Sequence, residues 1–287
     1  MKVIFIGGLT NGELIVDYLI RLKKIDLKLI ITHPKNHKIQ SYRNFSKFRN
    51  KCEIVRNLNA LIYYKKIKNI KPDLIIVSGW SWIIPKKILI TPRIGAVGFH
   101  PSDLPRDRGR SVLAWQIEEG YTQTALTMFI MKEGVDSGDI IGKRKIQIKY
   151  KDTIKDILLK CDKASLFLIK KYLIKILNGK IKTTKQDEKK ATYRKMRDSS
   201  NSEIIWSDKT VNIYNKIRAI SYPYPGAYFK YKNIKYLVKK SKVIRKNKKY
   251  LLNNLRPGTL IKSSGKYDHI FKTSDGYLEI TTYEEIE

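Results

Sequence analysis

The first 140 residues alternate between short apolar runs and longer stretches with apolar residues at helical spacing. The short runs are rich in β-branched residues and end in glycine or polar residues, as is typical of strands. They predict strands at Lys2–Ile6, Leu27–Thr32, Cys52–Val55, Asp73–Gly79 and Ile94–His100. Helices are predicted at Gly12–Leu22, with Asn11 as N-cap, and at Leu58–Ile70 and Ser111–Gly120. This alternation favours an α/β fold, a doubly wound, Rossmann-like and mostly parallel sheet.

The pattern changes after this first part of the chain. Two more strands are predicted at Ala125–Met131 and Ile140–Ile148, followed by a long amphipathic helix at Thr153–Leu177. Residues Lys185–Ser202 are polar and charged, which predicts a linker over the surface. Beyond it the sequence predicts a helix at Val211–Ile220 and strands at Gly258–Lys262, Asp268–Lys272 and Tyr277–Thr282. We therefore expect a larger α/β domain over residues 1–190 and a small β-rich domain over residues 203–287.

The chain is strongly basic. Its 287 residues include 59 Lys+Arg and 26 Asp+Glu, a formal net charge of +33. Such a charge would suit nucleic acid or another anionic surface. However, Lys is spread along the whole chain, and Arg, the better reader of phosphates and bases, is scarce. We interpret most of the charge as compositional, the result of AT-rich codon usage, and do not favour a nucleic-acid partner.

Cysteine and histidine usage bears on metals and disulfides. Cys52 and Cys161 are the two cysteines, too few for a disulfide framework or a four-cysteine zinc site. His33 and His37 lie four residues apart, but Pro34 argues against a helix that would bring them together. The sequence therefore predicts no metal.

Neither a membrane span nor a signal peptide is predicted. The longest apolar stretch, Asp73–Pro85, is interrupted and shorter than the ~20 residues of a membrane helix. The run after Met1 is read as a first strand because it lacks a small-residue cleavage site. A reducing, cytoplasmic setting is expected.

The stretch Gly98–Arg110 (GFHPSDLPRDRGR) carries the densest candidate chemistry. His100 ends a predicted buried strand, and the carboxyl ends of such strands form the ligand-binding edge of an open α/β sheet. Two prolines stiffen the loop, while Arg106, Arg108 and Arg110 make it cationic and suited to phosphate. The stretch predicts an anion-binding loop beside a functional histidine; the alternative is a structural loop with a hydrogen-bonded histidine.

Two other turns are candidates for the same edge. Residues Gly7–Gly12 join a strand to a helix and could bind phosphate through backbone N–H groups, or could form only a tight turn. The turn Glu133–Asp139 places Asp136 between two predicted strands. A carboxylate there could orient a histidine or relay a proton, unless it serves turn chemistry alone.

Several motifs resemble one family when taken together. They are GFHPSDLPRDRGRSVLAW from Gly98, MKEGVDSGDI from Met131, residues 72–85, and, in the second domain, residues 218–227 and 257–280. They resemble the formyltransferases that use N10-formyltetrahydrofolate: methionyl-tRNA, glycinamide ribonucleotide and sugar N-formyltransferases. The resemblance spans nearly the whole chain. It implies a Rossmann-like catalytic domain with a C-terminal domain, a folate formyl donor and no metal.

The resemblance also implies site residues. His100 and Asp136 match the family's catalytic His and Asp, but Gly98 stands where the family has an Asn that holds the formyl oxygen. Loss of one such donor can cost about 10²–10³ in rate; we expect compensation because the other motifs are intact. The implied cofactor-binding residues are Gly79, Trp80, Ser81, Trp82, Ile84 and Asp136. The implied substrate-binding residues are Gly8, Thr10, Asn11, Ser102, Arg108, Gly109 and Arg110.

The acceptor is the remaining question. The segment Arg108–Arg110 and the residues after it resemble members that act on nucleotide-linked amino sugars more than the tRNA enzymes. The leading hypothesis is N-formylation of a 4-amino deoxysugar, with a 3-amino deoxysugar less favoured, carried on UDP or dTDP. The product would feed a surface glycan such as the O-antigen of lipopolysaccharide or a nonulosonic acid. The alternatives are a methionyl-tRNA formyltransferase and an inactive relative that binds nucleic acid or another anionic ligand. A homodimer is common among such relatives.

Overall fold

A computed structural model describes residues 1–33, 45–48, 52–54, 61–232, 234–244, 254–264 and 268–286. These residues form two compact units. The first comprises residues 1–109, 124–146 and 159–194, and the second comprises 110–123, 147–158 and 195–287. The second unit thus takes in two segments from within the expected 1–190 domain.

Strands and short helices alternate in the first part of the chain. Strands β1 to β6 are Lys2–Gly7, Asp26–Thr32, Cys52–Ile54, Leu74–Ser78, Gly95–His100 and Arg108–Gly109. Helices α1 to α4 are Thr10–Ile20, Leu61–Ile70, Lys86–Leu89 and Val112–Glu118. Strands β7 and β8 are Gln123–Ile130 and Ile140–Gln147; α5 is Ile154–Leu177 and β9 is Tyr193–Arg194. Short 3-10 helices lie at Phe45–Phe48, Glu188–Lys190 and Ser199–Ser202.

A seven-stranded sheet in the order β3-β2-β1-β4-β5-β7-β8 organises the first unit. The first five of these strands run parallel to their neighbours, and β7 runs antiparallel to β5. All five residues of β4 are buried, as its unbroken apolar run predicts for a strand covered on both faces. The predicted α/β class with a mostly parallel sheet is confirmed.

Alternate residues of the central strands build one hydrophobic core. Ile4 and Ile6 of β1 point to the same face as Ile75 and Val77 of β4, because side chains one residue apart on a strand point to opposite faces. Helices α2 and α3 cover that face through Ile67, Ile88 and Leu89.

The N-terminus of α1 differs from the prediction. The helix begins at Thr10 after Leu9, so Asn11 is not its N-cap. The Asn11 side-chain oxygen instead accepts a hydrogen bond from the backbone N–H of Gly12 at 2.8 Å. Residues 58–60 of the predicted second helix, and His37, lie outside the described residues.

The second unit contains a five-stranded antiparallel sheet. After α6 (Thr210–Ala219), strands β10 to β14 are Ala227–Tyr231, Ile234–Ile244, Leu260–Ser264, Asp268–Lys272 and Tyr277–Ile286. Their order is β10-β11-β14-β13-β12. Trp206 stacks on Phe271, with ring centroids 4.4 Å apart, and meets Phe229 edge-on. The predicted β-rich C-terminal part is confirmed.

The predicted surface linker needs a correction. Within Lys185–Ser202, β9 pairs in parallel with β6, and the backbone N–H of Arg108 donates to the carbonyl of Thr192 at 2.8 Å. The stretch looked like a linker because it is polar, but several of its polar groups bind the loop that follows β5.

Helix α5 carries the one cysteine whose side chain is described. Burial, with a smaller contribution from Asp162, raises the pKa of the Cys161 thiol to about 12. We therefore expect iodoacetamide at about pH 8 to leave Cys161 unmodified in the folded protein, because the thiolate is the reactive form. Peptide mass spectrometry would measure this, with protein unfolded in urea as the control. Equal modification of folded and unfolded protein would contradict the prediction.

Within the described residues, no helix is both long and apolar enough to span a bilayer.

Candidate active site

The turns after β1 and β4 meet at the carboxyl edge of the sheet. The strand order changes direction between β1 and β4, and open α/β sheets bind ligands in the crevice at such a point. A Cβ on Gly7 would lie 1.9 Å from the carbonyl oxygen of Ser78, so only glycine fits there. Gly79 has a φ of +67°, and a Cβ on it would lie 2.7 Å from the Leu9 side chain. The sequence thus places two turns in direct contact at the predicted ligand edge.

An aromatic cluster stands at the same edge. His33, directly after β2, stacks on Trp82 with centroids 4.7 Å apart and meets Trp80 edge-on at 4.0 Å. The His33 Nε2 lies 2.9 Å from the Ser81 hydroxyl. The Trp80 indole Nε1 is buried with no hydrogen-bond partner among the described residues. The segment around Trp80 therefore offers aromatic faces and an unused donor.

His100 and Asp136 are brought together. His100 ends β5 and is 4% exposed, and its Nδ1 lies 3.3 Å from Oδ2 of Asp136. The backbone N–H of Gly109 donates to the same Oδ2 at 2.9 Å. Asp136 sits in a turn with a φ of +48°, a left-handed conformation that is rare for residues other than glycine. The predicted His–Asp contact is present.

A second contact fixes the tautomer of His100. Its Nε2 lies 2.7 Å from the carbonyl oxygen of Asp107. A carbonyl can only accept, so Nε2 carries a proton and donates it. Proton uptake by the ring must then occur at Nδ1, beside the Asp136 carboxylate, which stabilises the resulting imidazolium. The Asp136 carboxylate therefore faces the ring nitrogen that is left without the Asp107 contact.

Arg108 does not have the role that the sequence suggested. Its side chain is fully buried, and all five guanidinium N–H groups are used within the protein. Two bonds go to Gln186 Oε1, two to the Glu188 carboxylate and one to the Tyr193 hydroxyl, at 2.7–3.2 Å. The hydrogen bond to Glu188 raises the pKa of Arg108. The predicted phosphate contact of Arg108 is therefore wrong for this structure: no donor is left for it.

Ser102 is also a structural residue here. It is fully buried, and its hydroxyl donates to the carbonyl of Arg106 at 2.6 Å, while its own carbonyl accepts from Thr127. Substrate contact by its side chain is not supported. These bonds instead hold the stiff loop in place.

The other predicted site residues differ in burial. Gly8 is buried at the end of β1, and Thr10 and Asn11 are partly buried at the start of α1. The side chain of Ile84 is buried in the hydrophobic core, so only its backbone remains as a candidate for contact with a cofactor. Arg110, unlike Arg108, is exposed. These residues keep their predicted roles as proposals.

Comparison with known proteins decides the family. Residues 1–168 match the formyl transferase family, and residues 197–286 match the C-terminal domain of formyl transferases. The chain belongs to the formyl transferase family. The predicted enzyme class, a folate-dependent formyltransferase, is confirmed.

Individual relatives differ in their acceptors. The methionyl-tRNA formyltransferase of Mesoplasma florum is 27% identical over 287 residues, which cover 98% of this chain and 89% of that protein. The bifunctional polymyxin resistance protein ArnA of Wigglesworthia glossinidia brevipalpis is 31% identical over 267 residues, 91% of this chain and 40% of that protein. The structure of WlaRD, a sugar 3N-formyl transferase in the presence of dTDP and 5-N-formyl-THF, matches with a TM-score of 0.71 at 19% identity. That match covers 100% of this chain and 98% of WlaRD.

Sequence reasoning missed the residues that hold the loop after β5 in this formyltransferase. Gln186, Glu188 and Tyr193 lie about 80 residues after Arg108, in the stretch read as a linker. Thr192 and Arg194 bind the backbone N–H and the carboxylate of Asp107, at 2.8 and 2.7 Å. The one available signal was Glu188, an acid that a buried arginine would need as a partner.

At Gly98, Met131 occupies the space beside the missing side chain. A Cβ on Gly98 would lie 3.0 Å from both Cγ and Sδ of Met131. A thioether donates no hydrogen bond, so this position supplies no donor for the formyl oxygen. The Met131 side chain thus packs where an Asn side chain at position 98 would begin.

Proposed function

We propose that this formyltransferase transfers a formyl group from N10-formyltetrahydrofolate to the amino group of an amino-deoxysugar carried on UDP or dTDP. The observation that carries the reaction type is the His100–Asp136 pair, with Nδ1 and Oδ2 3.3 Å apart at the carboxyl end of β5. The family match supports formyl transfer. The acceptor is supported by the sugar 3N-formyl transferase WlaRD, which matches along the whole chain.

The residues at the sheet edge fit a folate. A pterin has aromatic faces and ring acceptors, and Trp80 and Trp82 offer aromatic rings, while Trp80 Nε1 is a buried donor without a partner among the described residues. Gly79, Trp80, Ser81 and Trp82, with the backbone of Ile84, would hold it. When bound, it would supply a formyl carbon that the amine attacks, with the folate nitrogen as the leaving group; the amine loses one proton and the folate nitrogen gains one.

The protein's own part in the reaction is proton transfer. An amine attacks only when unprotonated, and it must lose a proton as its new bond forms. His100 takes up that proton at Nδ1, because Nε2–H is already committed to the carbonyl of Asp107. Asp136 keeps the ring oriented and stabilises its cationic form, and the Gly109 N–H holds the carboxylate in place.

Cationic groups near this histidine in the chain support an anionic acceptor. Arg106 and Arg110 are exposed, whereas Arg108 is buried and fully bonded. An exposed guanidinium suits the diphosphate of a sugar nucleotide. The second candidate acceptor is methionyl-tRNA, which the 27% identical Mesoplasma florum enzyme favours.

The deciding experiment is an acceptor panel. Wild-type protein and N10-formyltetrahydrofolate are incubated with UDP- and dTDP-linked 3-amino and 4-amino deoxysugars and, separately, with methionyl initiator tRNA, with Asp136→Asn as a control. A mass gain of one formyl group on a sugar nucleotide, absent with the variant, supports the proposal. Formylation of the tRNA but of no sugar reverses the ranking. Anion binding with a steep salt dependence and no transfer to any acceptor would indicate an inactive binder.

The Gly98 position yields a separate prediction. We expect Gly98→Asn to change kcat by less than about tenfold, because the present site works without that amide, whereas a missing oxyanion donor costs about 10²–10³. We also expect a loss of about 1 kcal/mol in stability, because the new Cβ crowds the flexible Met131 side chain. Steady-state kinetics and urea unfolding would measure the two effects. A rise in kcat of about 10²-fold or more would show that the wild-type site lacks a hydrogen-bond donor for the formyl oxygen.

A further inference from the structure

The turn that carries Asp136 is held by a residue from the segment read as a linker. The Gln186 side-chain Nε2 donates to the carbonyl oxygens of Asp136 and Gly138, each at 2.7 Å. These two carbonyls stand on either side of Ser137. One amide group therefore clamps the turn from both sides.

Arg108 fixes which way this amide points. Its Nε and Nη2 both donate to Gln186 Oε1, at 3.2 and 2.8 Å. With the oxygen committed to the guanidinium, the NH2 group must face the two carbonyls. Because Arg108 is fully buried and bonded through all five N–H groups, the amide has a rigid support.

The turn needs such a clamp. Asp136 has a φ of +48°, a left-handed conformation that costs on the order of 1–2 kcal/mol for a residue with a Cβ. Such a conformation persists only where the surroundings enforce it. Gly138 has no room for a side chain, because a Cβ there would lie 1.6 Å from the carbonyl oxygen of Ile130. The direction of the Asp136 carboxylate toward His100 thus depends on the conformation of the turn. That conformation in turn depends on the hydrogen bonds from Gln186.

We propose that Gln186 is a positioning residue of the formyltransferase: it sets the Asp136 carboxylate against His100 Nδ1 through the carbonyls of Asp136 and Gly138. It touches neither reacting atom. The inference rests on the proposed function because the His100–Asp136 pair is taken as the group that accepts the proton. Arg108, which the sequence suggested for phosphate binding, supports Gln186 in this role.

The test is Gln186→Glu. Glutamate keeps the size of glutamine and an oxygen for Arg108, but its carboxylate cannot donate to the two carbonyls. We expect kcat for the acceptor found by the panel to fall about 10²-fold, because a small misplacement of a catalytic group has that effect. KM for the acceptor should change by less than about twofold, since Asp136 is not among the residues implied to bind it.

A second readout does not depend on turnover. In protein with isotope-labelled histidine, NMR reports the protonation of each ring nitrogen, and a His100→Asn sample assigns the His100 signals. In the wild type we expect Nε2 to be protonated; in Gln186→Glu we expect the Nδ1 signal to shift, because the carboxylate facing it moves. The matched control is Lys189→Gln, an exposed residue of the same segment, which should match the wild type in kcat and spectrum.

The results distinguish failure of the positioning role of Gln186 from failure of the proposed function. Wild-type His100 signals together with wild-type kcat in Gln186→Glu would overturn the positioning role, and so would a variant that loses only thermal stability. If the wild type formylates no acceptor at all, the proposed function fails, and the His100 signals still decide whether Gln186 positions the pair.

Discussion

Replacing His100 with alanine is expected to lower kcat for formyl transfer by about 10²–10⁴-fold, the usual contribution of a general acid–base group. The reason is geometric. His100 Nδ1 is the ring atom that can take up a proton, and it faces Asp136 Oδ2 at 3.3 Å, while Nε2 is held by the carbonyl of Asp107. Without the ring, the attacking amine loses its proton only to solvent. Steady-state kinetics with the acceptor found by the panel would measure the loss.

Two further variants sharpen this result. Asp136→Asn keeps an oxygen for the Gly109 N–H but removes the charge that stabilises the imidazolium, so kcat should also fall strongly. His269→Ala is the matched control: His269 bonds the Tyr283 hydroxyl at 2.9 Å in the second unit and should leave kcat near the wild-type value. Near-normal turnover by His100→Ala, in protein that remains folded by circular dichroism, would remove His100 from the mechanism.

The fold was predictable where a local pattern fixes it. The unbroken apolar runs of β1 and β4 and the 24-residue helix α5 all follow from residue order alone. Errors lay at element ends, such as the start of α1, because Asn11 can bond its own neighbour as readily as cap a helix. Chain segments 110–123 and 147–158 joined the second unit through contacts that no local pattern encodes.

The candidate site, like the fold, was predictable only where the local sequence defines it. His100 follows a buried strand and Asp136 lies in a glycine-punctuated turn, so both could be placed at the sheet edge from the sequence. Arg108 could not be interpreted correctly, because the groups that bind it lie 78 to 85 residues away. An arginine in a basic loop looks the same in sequence whether it faces a phosphate or a carboxylate of the protein itself. Only the fold shows that Glu188 reaches it.

Replacing Arg108 with methionine is expected to lower the free energy of unfolding by about 2–4 kcal/mol, below the usual cost of breaking a buried ion pair because water can reach Glu188. Methionine has a comparable length but none of the five N–H donors, so Gln186 Oε1 and the Tyr193 hydroxyl also lose their partner. Urea unfolding followed by fluorescence would measure the change. The matched control is Arg106→Met in the same loop, where the arginine is exposed and a change within about 0.5 kcal/mol is expected.

The ion pair between Arg108 and Glu188 also predicts how the difference in stability between wild type and Arg108→Met depends on pH. The hydrogen bond from Arg108 lowers the pKa of Glu188. A carboxyl group with a lowered pKa in the folded state stabilises the protein above its unfolded-state pKa, and this stabilisation is lost as the pH falls through the folded value. The difference in unfolding free energy between wild type and Arg108→Met should therefore narrow as the pH falls below the ordinary glutamate pKa of about 4.3 toward the lower pKa of Glu188 in the folded protein. A gap that stays constant through this range, or equal losses in Arg108→Met and Arg106→Met, would show that the buried guanidinium does not support the loop beside His100.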